Sequence, residues 1–149
     1  MVISRTGTAQ VGYYGLSPII SNPIFTIETL VSPRWLAQEI INPPSSEQIT
    51  ASKSTDVFSF AMLAVEVFSG KVPFWSMTDR FAAVQVAKGG RPAKPQAAEQ
   101  LGLSEEIWEF IEKCWSEIPS ERPTIDEVVT VWEGFVNGYV VVPFGLSAS

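Results

Sequence analysis

Residues 54–70, Ser-Thr-Asp-Val-Phe-Ser-Phe-Ala-Met-Leu-Ala-Val-Glu-Val-Phe-Ser-Gly, constrain the fold more than any other stretch of the chain. They read as one helix. Ser54 or Thr55 is placed to cap its start, Asp56 sets a negative charge in the first turn, and Gly70 offers a left-handed stop with Pro73 close behind. Val57, Phe58, Phe60, Met62, Leu63, Val65, Val67 and Phe68 do not form a stripe. A helix that is apolar all round has to be covered on every side, as the central post of a larger domain. Ser and Glu punctuate it too often for a membrane span.

Composition narrows the chemistry. The chain has 149 residues and 46% hydrophobic content, enough for one core, and a net charge of −6 that argues against nucleic acid or an anionic membrane as partner. Histidine is absent and cysteine occurs once, at Cys114. His-based metal sites, Ser-His-Asp triads, Cys-His pairs and an internal disulfide are thereby excluded. The lone cysteine and the lack of a leader-like apolar run in residues 1–8 lead us to expect an intracellular, cytoplasmic location.

Along the chain, Met1–Ser4 and Ala9–Gly12 flank a turn at Gly7 and predict a short hairpin. Residues 18–33, interrupted by Pro18, Pro23 and Pro33, predict a long loop of the kind that carries function. Arg34–Ile41 predicts a short helical piece stopped by Asn42-Pro43-Pro44. Thr78-Asp79 predicts the start of a helix over Arg80–Lys88, closed by Gly89-Gly90, with Arg91–Pro95 extended after it. Ser104 caps a helix from Glu105 to about Trp115, with Ile107, Trp108, Ile111 and Trp115 on one face. Thr124-Ile125-Asp126-Glu127 is a capping box opening a helix to about Val136. The fold expected is mainly α: about four main helices around one buried helix, preceded by a β-hairpin and a long loop. Lys53, Lys71 and Gly89-Gly90 lack phosphate-loop spacing and read as solvated lysines and a helix stop.

Five segments, in order and in register, resemble the carboxyl-terminal lobe of eukaryotic protein kinases. Tyr13-Tyr14-Gly15-Leu16-Ser17 resembles the Asp-Phe-Gly-Leu-Ser segment that opens the activation loop. Arg34-Trp35-Leu36-Ala37-Gln38-Glu39 resembles Arg-Trp-Met-Ala-Pro-Glu, which closes it. Ser54–Phe60 is similar to Ser-Asp-Val-Tyr-Ser-Phe-Gly at the start of the lobe's central helix, and Gly70–Phe74 to the turn after it. Cys114-Trp115 with Pro119, Glu121, Arg122 and Pro123 resembles the Cys-Trp…Pro-x-x-Arg-Pro signature. The Trp of the closing motif and the Cys-Trp pair point to the tyrosine-kinase and tyrosine-kinase-like branches. The resemblance implies a partial kinase domain over residues 1–136 and a tail over 137–149.

Residue by residue, the resemblance implies a structural ion pair between Glu39 and Arg122, and a structural acid at Asp56 that bonds backbone N–H groups of the catalytic loop. It places Ser32 in the substrate-facing loop. In the resembled fold, helices that precede the catalytic loop cover part of the central helix. In this chain Phe60 and Leu63 are expected to be left uncovered, exposing a large apolar surface and making the chain marginally stable or associated. The family's activity is transfer of phosphate from Mg-ATP to protein Ser/Thr or Tyr. Here Tyr13 stands where the family's metal-binding Asp is expected, and a neutral phenol is a poor Mg²⁺ ligand. Tyr14 and Gly15 complete that motif. The match begins just past the catalytic loop, so this chain is expected to lack catalytic residues and a cofactor of its own, and to be inactive alone. Its partner would be another protein or the missing kinase lobe. The alternatives are a pseudokinase-like interaction module using Arg80–Lys88 and Arg91–Pro95, or a truncated gene product. Any regulatory phosphorylation, supplied by another kinase, is expected between Gly15 and Pro33, among Ser17, Ser21, Thr26, Thr29 and Ser32, with Thr26 and Thr29 as the candidate sites; the alternative is an unmodified surface loop. Phosphate-site mapping on protein from its native source should find sites there; sites found only elsewhere refute the expectation.

Overall fold

The computed structural model describes residues 2–3, 9–10, 33–43, 52–96 and 98–138. The chain divides into two units, Met1–Ser32 and Pro33–Ser149. In the first, strands β1 (Val2–Ile3) and β2 (Ala9–Gln10) pair antiparallel, with Val2 opposite Gln10 and Ile3 opposite Ala9. The turn expected at Gly7 lies outside the described residues.

The second unit is helical. A 3₁₀ turn, Pro33–Trp35, leads into α1 (Gln38–Ile41). The single helical piece expected over Arg34–Ile41 is thus broken at Leu36-Ala37, where Ala37 is extended at φ −65°, ψ 150°. Helix α2 (Lys53–Ser69) is the central post, and α3 (Asp79–Ala87), α4 (Glu105–Cys114) and α5 (Ile125–Val136) follow. Two further 3₁₀ turns, Ala98–Leu101 and Pro119–Glu121, connect them. Helices α4 and α5 and the 3₁₀ turns pack on α2, while α3 packs on Pro33–Trp35 and α1.

The cap of α2 corrects the expectation. Ser52, not Ser54 or Thr55, is the N-cap: its hydroxyl accepts from the Thr55 N–H at 3.2 Å, and Thr55 Oγ1 accepts from the Ser52 N–H at 2.9 Å. The reciprocal pair satisfies two donors that the first turn otherwise leaves open. Thr78 likewise precedes α3 without a side-chain cap bond. Ser104 and Thr124 cap α4 and α5 as their sequences indicate, and Thr124 forms a full capping box with Glu127.

The buried side chains of α2 lie on one half of its circumference at 3.6 residues per turn. The other half, with Phe60, Leu63 and Val67, is only partly covered or exposed, so the cover expected on every side is incomplete among the described residues. Thr55, Val57, Phe58, Ala61, Met62, Ala64, Val65 and Phe68 are buried. They join Ile107, Trp108, Ile111, Cys114 and Trp115 from α4 and its end, and Val128 and Val131 from α5. Phe60, expected to be uncovered, is half-buried with its ring edge-on to Trp132 at 5.0 Å, and Leu63 is half-buried as well. The bare position on α2 is Val67, 58% exposed. Burial also sets the chemistry of Cys114: enclosed in this core, its thiol is pushed up to about 12 and stays protonated and unreactive at neutral pH.

Helix α2 ends at Gly70, whose backbone is left-handed at φ 65° and whose N–H bonds the Glu66 carbonyl at 2.8 Å. A Cβ added there meets nothing within 4 Å. Its substitution therefore tests backbone strain alone. Gly70→Ala should lower stability by about 1–2 kcal/mol in a denaturant titration and Gly70→Asn by less, because Asn tolerates the left-handed region.

Candidate functional site

Residues 33–42 place Ala37 in the hydrophobic core and pack Trp35, Ile40 and Ile41 against it, but apolar contact does not fix the direction of the segment. Three guanidiniums and one amide do that. Arg122 follows the Pro119–Glu121 turn, whose end aims its side chain under α1. Its side chain is fully buried, and its two terminal nitrogens donate to the two carboxylate oxygens of Glu39 at 2.6 and 2.9 Å. Nε donates to the Ser116 carbonyl at 2.9 Å and Nη1 to the Ser54 carbonyl at 3.0 Å. One guanidinium thus joins α1, the start of α2 and the end of the α4 region. The forked geometry suits a carboxylate, and the added carbonyl bonds offset the cost of burying the cation.

Arg34 does the same for the 3₁₀ turn. It is buried and donates to the carbonyls of Pro73, Phe74 and Met77 at 2.6, 2.8 and 2.6 Å, and to the Asp79 carboxylate at 2.6 Å. The 73–77 turn is shaped around this cation: Phe74 takes a left-handed φ of 53°, a conformation costly for a bulky residue. Its carbonyl accepts both Arg34 and the Met77 N–H. Trp35 Nε1 donates to Glu66 at 3.0 Å, and Ser59 Oγ donates to the Trp35 carbonyl at 2.7 Å, tying the turn to α2.

Arg91, on the extended strip after α3, completes the set. It donates to the carbonyls of Trp115 and Gly90 and to Gln38 Oε1 at 3.0 Å, while Gln38 Nε2 donates to the Glu117 carbonyl at 2.9 Å. Both ends of the Gln38 amide are therefore used where the resembled motif has proline. The Phe58 ring, fully buried, lies 4.9 Å from the Arg91 guanidinium and 5.1 Å from that of Arg122, within range of cation–π attraction.

The structure brings Glu39 and Arg122 together and leaves Asp56 exposed in the first turn of α2. Tyr13, Tyr14, Gly15, Thr26, Thr29 and Ser32 lie outside the described residues. Sequence reasoning gives no anchoring role to Arg34, Arg91 or Gln38, and reads Arg91 only as part of an interaction strip. Arg34 and Gln38 sit inside a motif and Arg91 follows Gly89-Gly90, but apart from Gly90 the carbonyls named above as their partners are 24 to 79 residues away. The arrangement positions a segment. Among the described residues, no group of His, Cys, Asp and Glu side chains is placed to hold a metal, and no helix is long and apolar enough to cross a membrane.

The model of the protein tyrosine and serine/threonine kinase family matches residues 1–131. The chain belongs to that family. It is 26% identical over 132 residues to the dual specificity protein kinase pyk3 of Dictyostelium discoideum, covering 88% of this chain and 9% of that protein. It is 33% identical over 103 residues to the serine/threonine/tyrosine-protein kinase HT1 of Arabidopsis thaliana, covering 68% of this chain and 24% of that protein. It is 30% identical over 104 residues to the scaffold protein ILK of Cavia porcellus, covering 70% of this chain and 22% of that protein. The chain thus spans a quarter or less of the length of each of these relatives.

Burial alone would raise the Glu39 carboxyl. The bonds from Arg122, aided by backbone and by the charges of Arg122 and Arg91, outweigh it and hold the carboxyl below its ordinary value. A carboxyl lowered in the folded state contributes stability above its unfolded pKa, near 4.5, and loses it as pH falls through the folded value. Melting temperature followed against pH should drop on this acid limb, and Glu39→Gln should flatten it. Glu39→Ala should cost about 3–5 kcal/mol by stranding the Arg122 cation. Glu39→Leu with Arg122→Met should cost less than the two single changes together.

Proposed function

We propose that this chain supplies the substrate-side scaffold of a protein-kinase-family domain without performing phosphoryl transfer itself. The reading rests on Tyr13. In the motif that opens the activation segment, transfer needs a carboxylate to hold Mg²⁺ against the nucleotide phosphates, and the residues present are Tyr13-Tyr14-Gly15. A neutral phenol neither carries the charge nor offers the oxygen pair of Asp, so this donor set does not fit the metal. What is preserved is positional. In this reading Glu39 and Arg122 serve as the structural pair that anchors the end of the activation segment, Asp56 is a structural acid at the head of α2, and Ser32 belongs to the substrate-facing loop. The domain proper covers residues 1–136 and the tail 137–149.

A second reading, a protein-interaction module, is favoured by the likeness to a relative named as a scaffold protein. The two are compatible, since anchoring and display of a surface need no nucleotide.

Purified chain incubated with Mg-ATP should transfer no labelled phosphate to a generic protein substrate or to itself, and nucleotide should not shift its melting temperature. Magnesium-dependent turnover by the unaltered chain overturns the proposal.

A further inference from the structure

The charges of this acidic chain are unevenly placed. Residues 67–98 carry five cations, Lys71, Arg80, Lys88, Arg91 and Lys94, against one acid, Asp79; the rest of the chain holds fifteen acids and five cations. Asp79 is engaged by Arg34, Arg91 is taken up by carbonyls and Gln38, and Lys94 pairs with Glu99 and Glu105. Lys71, Arg80 and Lys88 are exposed and form no ion pair among the described residues.

Apolar groups are bare in the same region. On α3, Ala82 and Val86 face inward, and Phe81 (65% exposed), Val84, Gln85 and Lys88 form the outward stripe at helical spacing. Gln85 also lines a cleft of about 610 Å³ between the 71–77 turn and the 90–96 strip. Trp75, 62% exposed, stands in its wall with the Lys71 ammonium 4.1 Å from its ring. Met77 lies beside it, and Val65 and Phe68 reach it from α2. The turn carrying Trp75 is the one held by Arg34 with Phe74 left-handed, so the tryptophan is presented on a fixed backbone. Carboxylates do stand near this face: Asp79, already engaged by Arg34, Glu99 and Glu105, paired with Lys94, and Glu117, against Gly89 at the far end of α3.

We propose that this face, from the Trp75 cleft across the α3 stripe, docks an acidic peptide segment of a partner protein that carries an apolar anchor. The cleft and Trp75 take the anchor, while Lys71 and Arg80 meet flanking carboxylates. Charge complementarity selects the partner: a basic segment is repelled here and would meet the acidic remainder of the chain instead. An anionic membrane or nucleic acid satisfies the cations but leaves the aromatic-walled cleft without a role, and the surrounding net charge opposes an extended polyanion. The inference rests on the interaction-module reading and names its partner's chemistry. It is independent of the Tyr13 motif.

The test uses the full chain and a fluorescein-labelled peptide in which Asp and Glu flank a Leu-Phe pair. Its counterparts carry Lys in place of the acids, or Ala in place of Leu-Phe. Fluorescence anisotropy should show the acidic peptide binding at least about tenfold tighter than either counterpart, and more weakly as salt rises. Lys71→Glu with Arg80→Glu, and separately Trp75→Ala, should each weaken it about tenfold with the melting temperature unchanged. Lys113→Glu, on α4, should not. Equal binding of acidic and basic peptides, no binding of the acidic one, or indifference to these substitutions overturns the proposal. So does binding of phosphatidylserine vesicles in preference to the peptide, which would mark charge alone. Phosphate transfer measured in parallel separates this outcome from the fate of the catalytic reading.

Discussion

A fully buried guanidinium is the constraint on which the arrangement of the second unit depends. Once Arg122 is enclosed it must be neutralised and every donor occupied, because an unpaired cation in the core costs several kcal/mol. Glu39 supplies the charge, and the carbonyls of Ser54 and Ser116 supply the remaining acceptors. Those partners come from three separate stretches of chain, so meeting the demands of one side chain fixes α1, the head of α2 and the end of α4 against one another. Arg34 repeats the device on the 73–77 turn, and Arg91 repeats it through Gln38.

The core and the polar anchors divide the labour. Helices α2, α4 and α5 are joined by apolar packing, with Phe60, Phe68, Trp132 and Phe135 meeting at tilted and edge-on angles that suit aromatic rings. The segment before α2 adds directional bonds to its apolar contacts through Trp35, Ala37, Ile40 and Ile41. Packing tolerates substitution when volume is kept, whereas a bidentate pair does not tolerate the exchange of arginine for lysine.

Much of this was legible in the residues. The length of α2, its stop at Gly70, the cap of α4 and the capping box of α5 follow from local chemistry, and the order of the five family motifs gave the class. The start of α2 was not, because Ser52, Ser54 and Thr55 all qualify as caps, and only the reciprocal bond between Ser52 and Thr55 selects the first. The break at Ala37 within Arg34–Ile41 was hidden for a different reason: Arg34 must turn toward carbonyls of the 73–77 turn, 39 to 43 residues along the chain, and no local propensity encodes that. Gln38 stands where the resembled motif has proline. Its two partners, Arg91 and the Glu117 carbonyl, show a replacement with bonds of its own, formed across 53 and 79 residues of chain.

Those separations bear on the order of folding. The bond from Arg122 to Glu39 closes across 83 residues, that from Arg122 to Ser54 across 68, and that from Arg34 to Asp79 across 45. Each loop must be closed, and its entropy lost, before the bond returns anything. The junction of the 33–42 segment with α2 closes sooner, across 24 residues from Ser59 to the Trp35 carbonyl and 31 from Trp35 to Glu66, than the spans that separate Phe60 and Phe68 from Trp132 on α5. The segment can therefore settle on α2 before the carboxyl-terminal helices arrive, and the Arg122 bonds close last. In a partial opening those long-range bonds are the first whose loss costs no local structure.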